Sequence, residues 1–179
     1  MASQREYRPF PRENRRDEIH SWGEVPLMLT LLELPMGARI LELGCGPAAT
    51  LIPIAKMLDP KQLVGLDTDR ALLNIAKDRL VASGTEAELV HADARHVPFA
   101  DQSFDMVLDF GTCYHIARAD DALREAARVL VPGGLFVTET RLNQILSHPV
   151  RAMGKSMPWA NVPELKPAFK TLMWEVRAR

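Results

Sequence analysis

The chain of 179 residues is 47% hydrophobic and 25% charged, with a formal net charge of −1. Such a composition suits one globular domain with a real core, and so balanced a charge gives no global steering toward nucleic acid. Cys45 and Cys113 are the only cysteines and form no C-x-x-C pair, which predicts no metal site and a reduced, cytoplasmic setting; with no long apolar run and no signal-peptide core, no transmembrane segment is expected either.

Residues 1–18 are polar, broken by Pro9 and Pro11, and they interleave arginines with Glu6, Glu13, Asp17 and Glu18, the composition of a flexible arm. From 19 to 34 the spacing of Ile19, Trp22, Val25, Met28, Leu29 and Leu32 predicts helix, with Pro26 suited to start a second segment. This lead-in is placed to cover a ligand loop, and His20 and Trp22 are its candidates to face a substrate, although a Trp at helical spacing serves equally as core.

The stretch Arg39-Ile40-Leu41-Glu42-Leu43-Gly44-Cys45-Gly46-Pro47-Ala48 organises the rest of the chain. An apolar run ends near a carboxylate, two glycines permit a sharp turn and close approach of a ligand to bare backbone, and Pro47 suits the first position of a helix. At Cys45 the backbone N–H is expected to matter more than the sulfur. Gly44-x-Gly46-x-x-Ala49 also satisfies the permissive dinucleotide pattern, with Asp67 at ribose-binding distance. Glu42 opposes that reading, because a carboxylate beside the glycines repels a pyrophosphate and attracts a cation.

Helix is predicted over 48–58, ended by Asp59-Pro60, followed by a strand over 62–67, a helix over 70–82 and a strand over 87–91. Asp67 stands at a strand's carboxyl end, where its two oxygens can accept the vicinal hydroxyls of a ribose, leaving Thr68 or Asp69 to cap the helix. Asp93, with Ala94 beside it, follows the next strand end and is placed to read the polar edge of an adenine. A fourth strand over 104–110 brings Asp109 and Phe110 to the same edge. Glu42, Asp67 and Asp93 therefore succeed one another in the order of the amino-acid, ribose and adenine parts of one ligand. Beyond them lie Gly111-Thr112-Cys113-Tyr114-His115-Ile116, a helix over 120–130, the turn Pro132-Gly133-Gly134 and a strand over 135–140.

The glycine stretch, the segments Val64-Gly65-Leu66-Asp67, Ala92-Asp93-Ala94 and Phe104-Asp105-Met106-Val107, and the run from Ala122 to Gly134 resemble successive motifs of the class I S-adenosylmethionine-dependent methyltransferases. The resemblance covers about Ile40 to Thr140. It implies a three-layer α/β Rossmann-like fold with a mostly parallel sheet and a C-terminal antiparallel strand, in a single domain 1–179 whose cofactor-binding core is 38–140 and whose segment 141–179 lies on the substrate side. It further implies S-adenosylmethionine as cofactor, S-adenosylhomocysteine as product, no metal, a small-molecule acceptor, and cofactor contacts at Glu42, Gly44, Cys45, Gly46, Asp67, Thr68, Asp93, Ala94, Asp109 and Phe110. Two departures stand out: Ala48 occupies a place where many members carry a third glycine, and Tyr114-His115 stands where related small-molecule enzymes often have two histidines.

His115 is the candidate general base, because imidazole titrates near working pH, with Asp109 in reserve; a structural role for His115 stays open. Tyr114 is expected to orient the acceptor or cover the cofactor, and Cys113 to be a buried filler. Within 141–179, only Lys170 to Arg177 alternates like a strand, so the closing hairpin reads as incomplete and leaves monomer and homodimer both open. The same segment carries seven cations against Glu164 and Glu175, a net charge of +5, among Ile145, Leu146, Val150, Met153, Met157 and Trp159. His148, Arg151 and Lys155 are expected to border a pocket for an apolar acceptor with an anionic or polar group, and peripheral lipid contact suits the same composition. An NAD-dependent oxidoreductase and a cofactor-binding interaction protein without catalysis remain the alternatives.

Overall fold

The computed structural model describes residues 34–139 together with Ser21, Gly23, Val25–Leu32, Leu165–Lys170 and Met173–Ala178. Helix α1, Val25–Leu32, buries Val25, Met28, Leu29 and Leu32, the stripe that its apolar spacing dictates, while Leu27 faces solvent. Strand β1, Arg39–Leu43, is buried at every position after the first, as a strand covered on both faces must be.

Helix α2 spans Leu51–Leu58 and starts three residues later than its sequence suggests. The delay comes from the backbone at Ala48, which takes a φ of 63° and holds the chain in a turn after the glycines. Pro47 therefore sits in that turn and does not open the helix. Pro53, inside the first turn of α2, is tolerated there because no carbonyl awaits its missing N–H.

Strand β2, Gln62–Asp67, leads into α3, Arg70–Ser83, whose N-cap Asp69 accepts from the N–H groups of Ala71 at 2.7 Å and Leu72 at 3.3 Å. Next come β3, Glu88–His91, β4, Phe104–Asp109, a short 3-10 turn, Cys113–His115, α4, Ala119–Val129, and β5, Leu130–Glu139. Strand β5 begins earlier than expected because it starts at Leu130, opposite Phe104, and absorbs Pro132-Gly133-Gly134 in a shift of register. Gly133 takes a φ of 79° in that irregularity.

Strands β6, Leu165–Lys170, and β7, Met173–Ala178, complete one sheet in the order β3-β2-β1-β4-β5-β7-β6. The first five strands pair in parallel, β7 lies antiparallel to β5, and β6 lies antiparallel to β7. The closing hairpin is thus complete, against the expectation of a single strand over 170–177. Pro167 disguised β6 in the sequence; it is tolerated because β6 is the edge strand, where a missing N–H breaks no ladder.

Alternate side chains serve opposite faces. Ile40, Met106 and Leu108 join the core under α1, α2 and α3, whereas Leu41, Leu43, Val107 and Phe136 join the core under α4. After β1 the chain builds β2 and β3 on one side, then crosses back to place β4 and β5 on the other. A crevice forms at such a reversal, outside the carboxyl ends of the strands, and here it lies between the loops that follow β1 and β4.

Candidate active site

The loop after β1 is stitched to the neighbouring strand before any ligand is considered. Gly44 and Cys45 both donate their N–H groups to the carbonyl of Leu66, at 2.7 and 3.0 Å, and Gly46 donates to Asp67 Oδ2 at 2.8 Å. The Cys45 N–H therefore braces the loop against β2. Burial pushes the Cys45 thiol far up, and the nearby acids Glu42 and Asp67 add to the rise, so its sulfur is inert.

The two glycines do different work. Gly46 has a φ of +50° and nothing within 4 Å of where a Cβ would stand, so bare backbone meets open space. Gly44, with a φ of +70°, would place a Cβ only 1.8 Å from Thr112 Oγ1. Its bareness makes room for a side chain of the loop after β4. Ala48, at φ 63°, shows why a glycine suits that third position: the backbone there is left-handed.

Glu42, only 1% exposed, receives a hydrogen bond on Oε1 from the hydroxyl of Thr50. Asp67 is half-buried; its Oδ1 accepts from Asp69 N–H at 2.8 Å while Oδ2 holds Gly46. Burial raises this carboxyl above its ordinary range, although the backbone N–H groups of Asp69 and Gly46 oppose the rise. A carboxylate oxygen has two lone pairs, so the same group can still accept ribose hydroxyls. The adjoining Thr68 is exposed, and its carbonyl lies 2.9 Å from His91 Nε2.

At Asp93, Arg95 engages the carboxylate through both backbone N–H, at 2.8 Å, and guanidinium, at 2.5 Å. That hydrogen-bonded cation holds the Asp93 carboxyl below the usual range. Ala94 is packed in the core under α4, and Phe110 in the core on the opposite face.

Asp109 is fully buried, with Oδ1 accepting from the N–H groups of Thr112, at 2.7 Å, and Cys113, at 3.1 Å, and Oδ2 accepting from Thr138 Oγ1 at 3.0 Å. Oδ1 thus anchors the loop after β4, and Oδ2 ties the same carboxylate to β5. Burial pushes its carboxyl upward despite these bonds. The anchored loop presents Tyr114, 5% exposed, and His115, 8% exposed, with His115 N–H donating to the Thr112 carbonyl at 2.9 Å. Cys113 is a buried filler whose thiol burial pushes well up.

His20, Trp22, His148 and Arg151 lie outside the described residues. From the lead-in, Ser21 Oγ donates to the carbonyl of Ala49 at 2.8 Å, which ties that segment to the glycine loop. Sequence reasoning missed Ser21, Thr50 and Thr112. For Thr50 a signal existed: a threonine at an N-cap position followed three residues later by a proline, which offers it no N–H to cap.

A sequence profile described as a methyltransferase domain matches residues 41–138, more than half of the chain. This chain belongs to the class I S-adenosylmethionine-dependent methyltransferases. It is 38% identical to a fatty-acid O-methyltransferase of Mycolicibacterium smegmatis, over 56% of this chain and 36% of that protein. It is 33% identical to a demethylmenaquinone methyltransferase of Lactobacillus johnsonii, over 79% of this chain and 57% of that protein. The chain thus spans between about a third and somewhat over half of the length of these two relatives. In fold it superimposes on an S-adenosylmethionine-dependent methyltransferase structure from Methanococcus maripaludis with a TM-score of 0.72, at 17% identity, over 93% of this chain and 91% of that one.

The cofactor of this family is S-adenosylmethionine, and the methyltransferase turn suits it on three counts. Gly46 offers bare backbone beside open space, Asp67 is a preorganised acceptor, and the acids around Cys45 create the negative field that a sulfonium and an ammonium require. The same field opposes a pyrophosphate, and with it the oxidoreductase alternative.

Proposed function

We propose that this methyltransferase domain transfers a methyl group from S-adenosylmethionine to a small lipophilic acceptor that carries an anionic or polar group. The observation that carries the reading is the bracketing of one glycine turn by two acids: Glu42 in β1 is held by Thr50 just beyond the turn, and Asp67 at the end of β2 is bonded to Gly46 within it. The acceptor class is supported by the names of the relatives, which act on a fatty acid and on demethylmenaquinone, and by the cationic, apolar composition of residues 141–179.

When bound, the cofactor supplies an electrophilic methyl group. The chain's own residues then hold and orient: Asp67 accepts the ribose hydroxyls, Glu42 faces the ammonium, and Gly46 lets backbone come close. Asp109 fixes the loop that carries Tyr114 and His115, which limits water and restricts how an acceptor approaches. His115 takes the acceptor's proton where there is one, and Tyr114 orients the acceptor. His20, Trp22, His148 and Arg151 border the acceptor side.

Thermal melts with S-adenosylhomocysteine and with NAD test the cofactor reading, the first expected to raise Tm and the second to leave it unchanged. Stabilisation by NAD alone overturns it. Incubation with labelled S-adenosylmethionine and a panel of fatty acids and quinols then tests transfer, and a domain that binds the cofactor yet methylates none of them argues for another acceptor class or for binding without catalysis. For His115→Ala, turnover is expected to fall by about two orders of magnitude with S-adenosylhomocysteine affinity nearly intact. Unchanged turnover across pH makes His115 a structural residue.

A further inference from the structure

We infer that Thr50 is a positioning residue for the amino-acid arm of the cofactor: its hydroxyl aims Glu42, and the pair sets how strongly the cleft prefers ligands that carry this arm. The inference rests on the cofactor reading above and deepens it.

Thr50 occupies the N-cap position of α2, where a threonine hydroxyl ordinarily accepts a hydrogen bond from one of the next N–H groups. Here it makes no such bond. The third helical residue is Pro53, which has no N–H to offer, so one of the two usual capping partners does not exist. The backbone of Thr50 does start the helix, its carbonyl accepting from Ile54 N–H at 3.1 Å. Its hydroxyl is left for other work and donates to Glu42 Oε1.

Both partners are buried, Thr50 at 6% and Glu42 at 1% exposure. A buried carboxylate needs hydrogen bonds to offset its lost hydration, and the terminal torsion of a glutamate is broad, so a fixed donor on one oxygen narrows the freedom with which the group can turn. A donor anchored at the start of a helix supplies that restraint. The cap of α2 is thereby exchanged for the orientation of an acid in the turn, a trade with no structural benefit to the helix itself. It makes sense if the orientation of Glu42 serves a ligand.

The test uses the full chain and two probes: S-adenosylhomocysteine, and methylthioadenosine, which keeps the nucleoside and the thioether but lacks the amino-acid arm. Titration calorimetry is run on wild type, Thr50→Val, which keeps the branched shape without the hydroxyl, and Thr50→Ser, which keeps the hydroxyl. For Thr50→Val, affinity for S-adenosylhomocysteine is expected to drop roughly tenfold, the scale of a hydrogen bond to a charged group, while methylthioadenosine binds within about twofold of wild type. Thr50→Ser is expected to restore most of the loss. Equal losses for both probes in Thr50→Val would reduce Thr50 to a packing residue of the loop, and unchanged affinity for both would remove it from the site altogether. A wild-type protein that binds neither probe overturns the cofactor reading itself, so the two failures are told apart.

Discussion

Asp67 performs a structural task with the same carboxylate to which the proposed function gives the ribose, and its raised proton affinity joins the two. It braces Gly46 and Asp69 through their N–H groups, yet burial holds its carboxyl above the ordinary range. Protonation removes acceptor capacity, so binding of S-adenosylhomocysteine is expected to weaken as pH falls through that raised value, above the usual carboxylate figure of about 4. Asp67→Asn should bind weakly at every pH and flatten the profile; a wild-type affinity that holds constant down to pH about 4 refutes the assignment. Gly44 poses a different residue-scale question, since its missing side chain makes room for Thr112. Gly44→Ala is expected to destabilise the fold by about 2–5 kcal/mol, adding left-handed strain to overpacking. Replacing Thr112 by Gly in the same chain relieves the clash and not the strain. Urea melts of the two single variants and the double should therefore show a double less destabilised than the singles add up to, by about 1–3 kcal/mol, and strict additivity would mean that the two loops do not touch in solution.

Among the elements, the strands of the core were legible because apolar runs ended at acids or turns: β2 lies at 62–67 as expected, β3 and β4 lie within one residue of their expected limits, and β1 falls in the apolar run before the glycines. The start of α2 was not legible, because a left-handed alanine leaves no mark in the apolar pattern. Strand β6 was hidden by a proline whose tolerance depends on being at an edge, a property of the whole sheet. Long-range pairs were equally invisible. Arg39 at the start of β1 donates to Asp105 at the start of β4 through Nη2 at 2.7 Å, Nε at 3.0 Å and backbone N–H at 2.8 Å, across 66 residues of sequence. The Arg39 hydrogen bonds hold the Asp105 carboxyl below its usual range. A depressed folded-state value means that the pair stabilises the fold fully at neutral pH and is lost as pH falls below about 4 and through the lowered value. Arg39→Met should accordingly lower Tm at pH 7 and leave it nearly equal to wild type once both carboxyls are protonated. A constant difference in Tm across that range would assign the loss to packing of the arginine stem.

For the molecule as a whole, the order of acids along the sheet edge pointed to the family, while the occupancy of those acids did not follow from the sequence. Asp93 and Asp109 look like Asp67 in one dimension, since each follows or ends a strand, but their partners differ: Arg95 engages the first, the loop N–H groups of Thr112 and Cys113 the second, and those of Gly46 and Asp69 engage Asp67 itself. Only packing decides which partners each carboxylate meets. The acceptor side rests on a different large-scale feature, the charge asymmetry of the chain: residues 141–179 carry +5 in a protein whose total is −1. Under the proposed function, a negative turn for the cofactor and a positive segment for an anionic acceptor would divide the two substrates by charge. Arg151 tests that division. Reversing its charge in Arg151→Glu is expected to raise KM for a fatty-acid acceptor severalfold, because an attraction becomes a repulsion, and to leave S-adenosylhomocysteine affinity unchanged, because the proposal assigns the cofactor's ammonium to Glu42 and its ribose to Asp67, both in another part of the chain. Screening distinguishes this from a lost shape contact: the effect should shrink as salt is raised, whereas a KM change indifferent to ionic strength would place Arg151 in packing, and equal kinetics for variant and wild type would detach it from the acceptor.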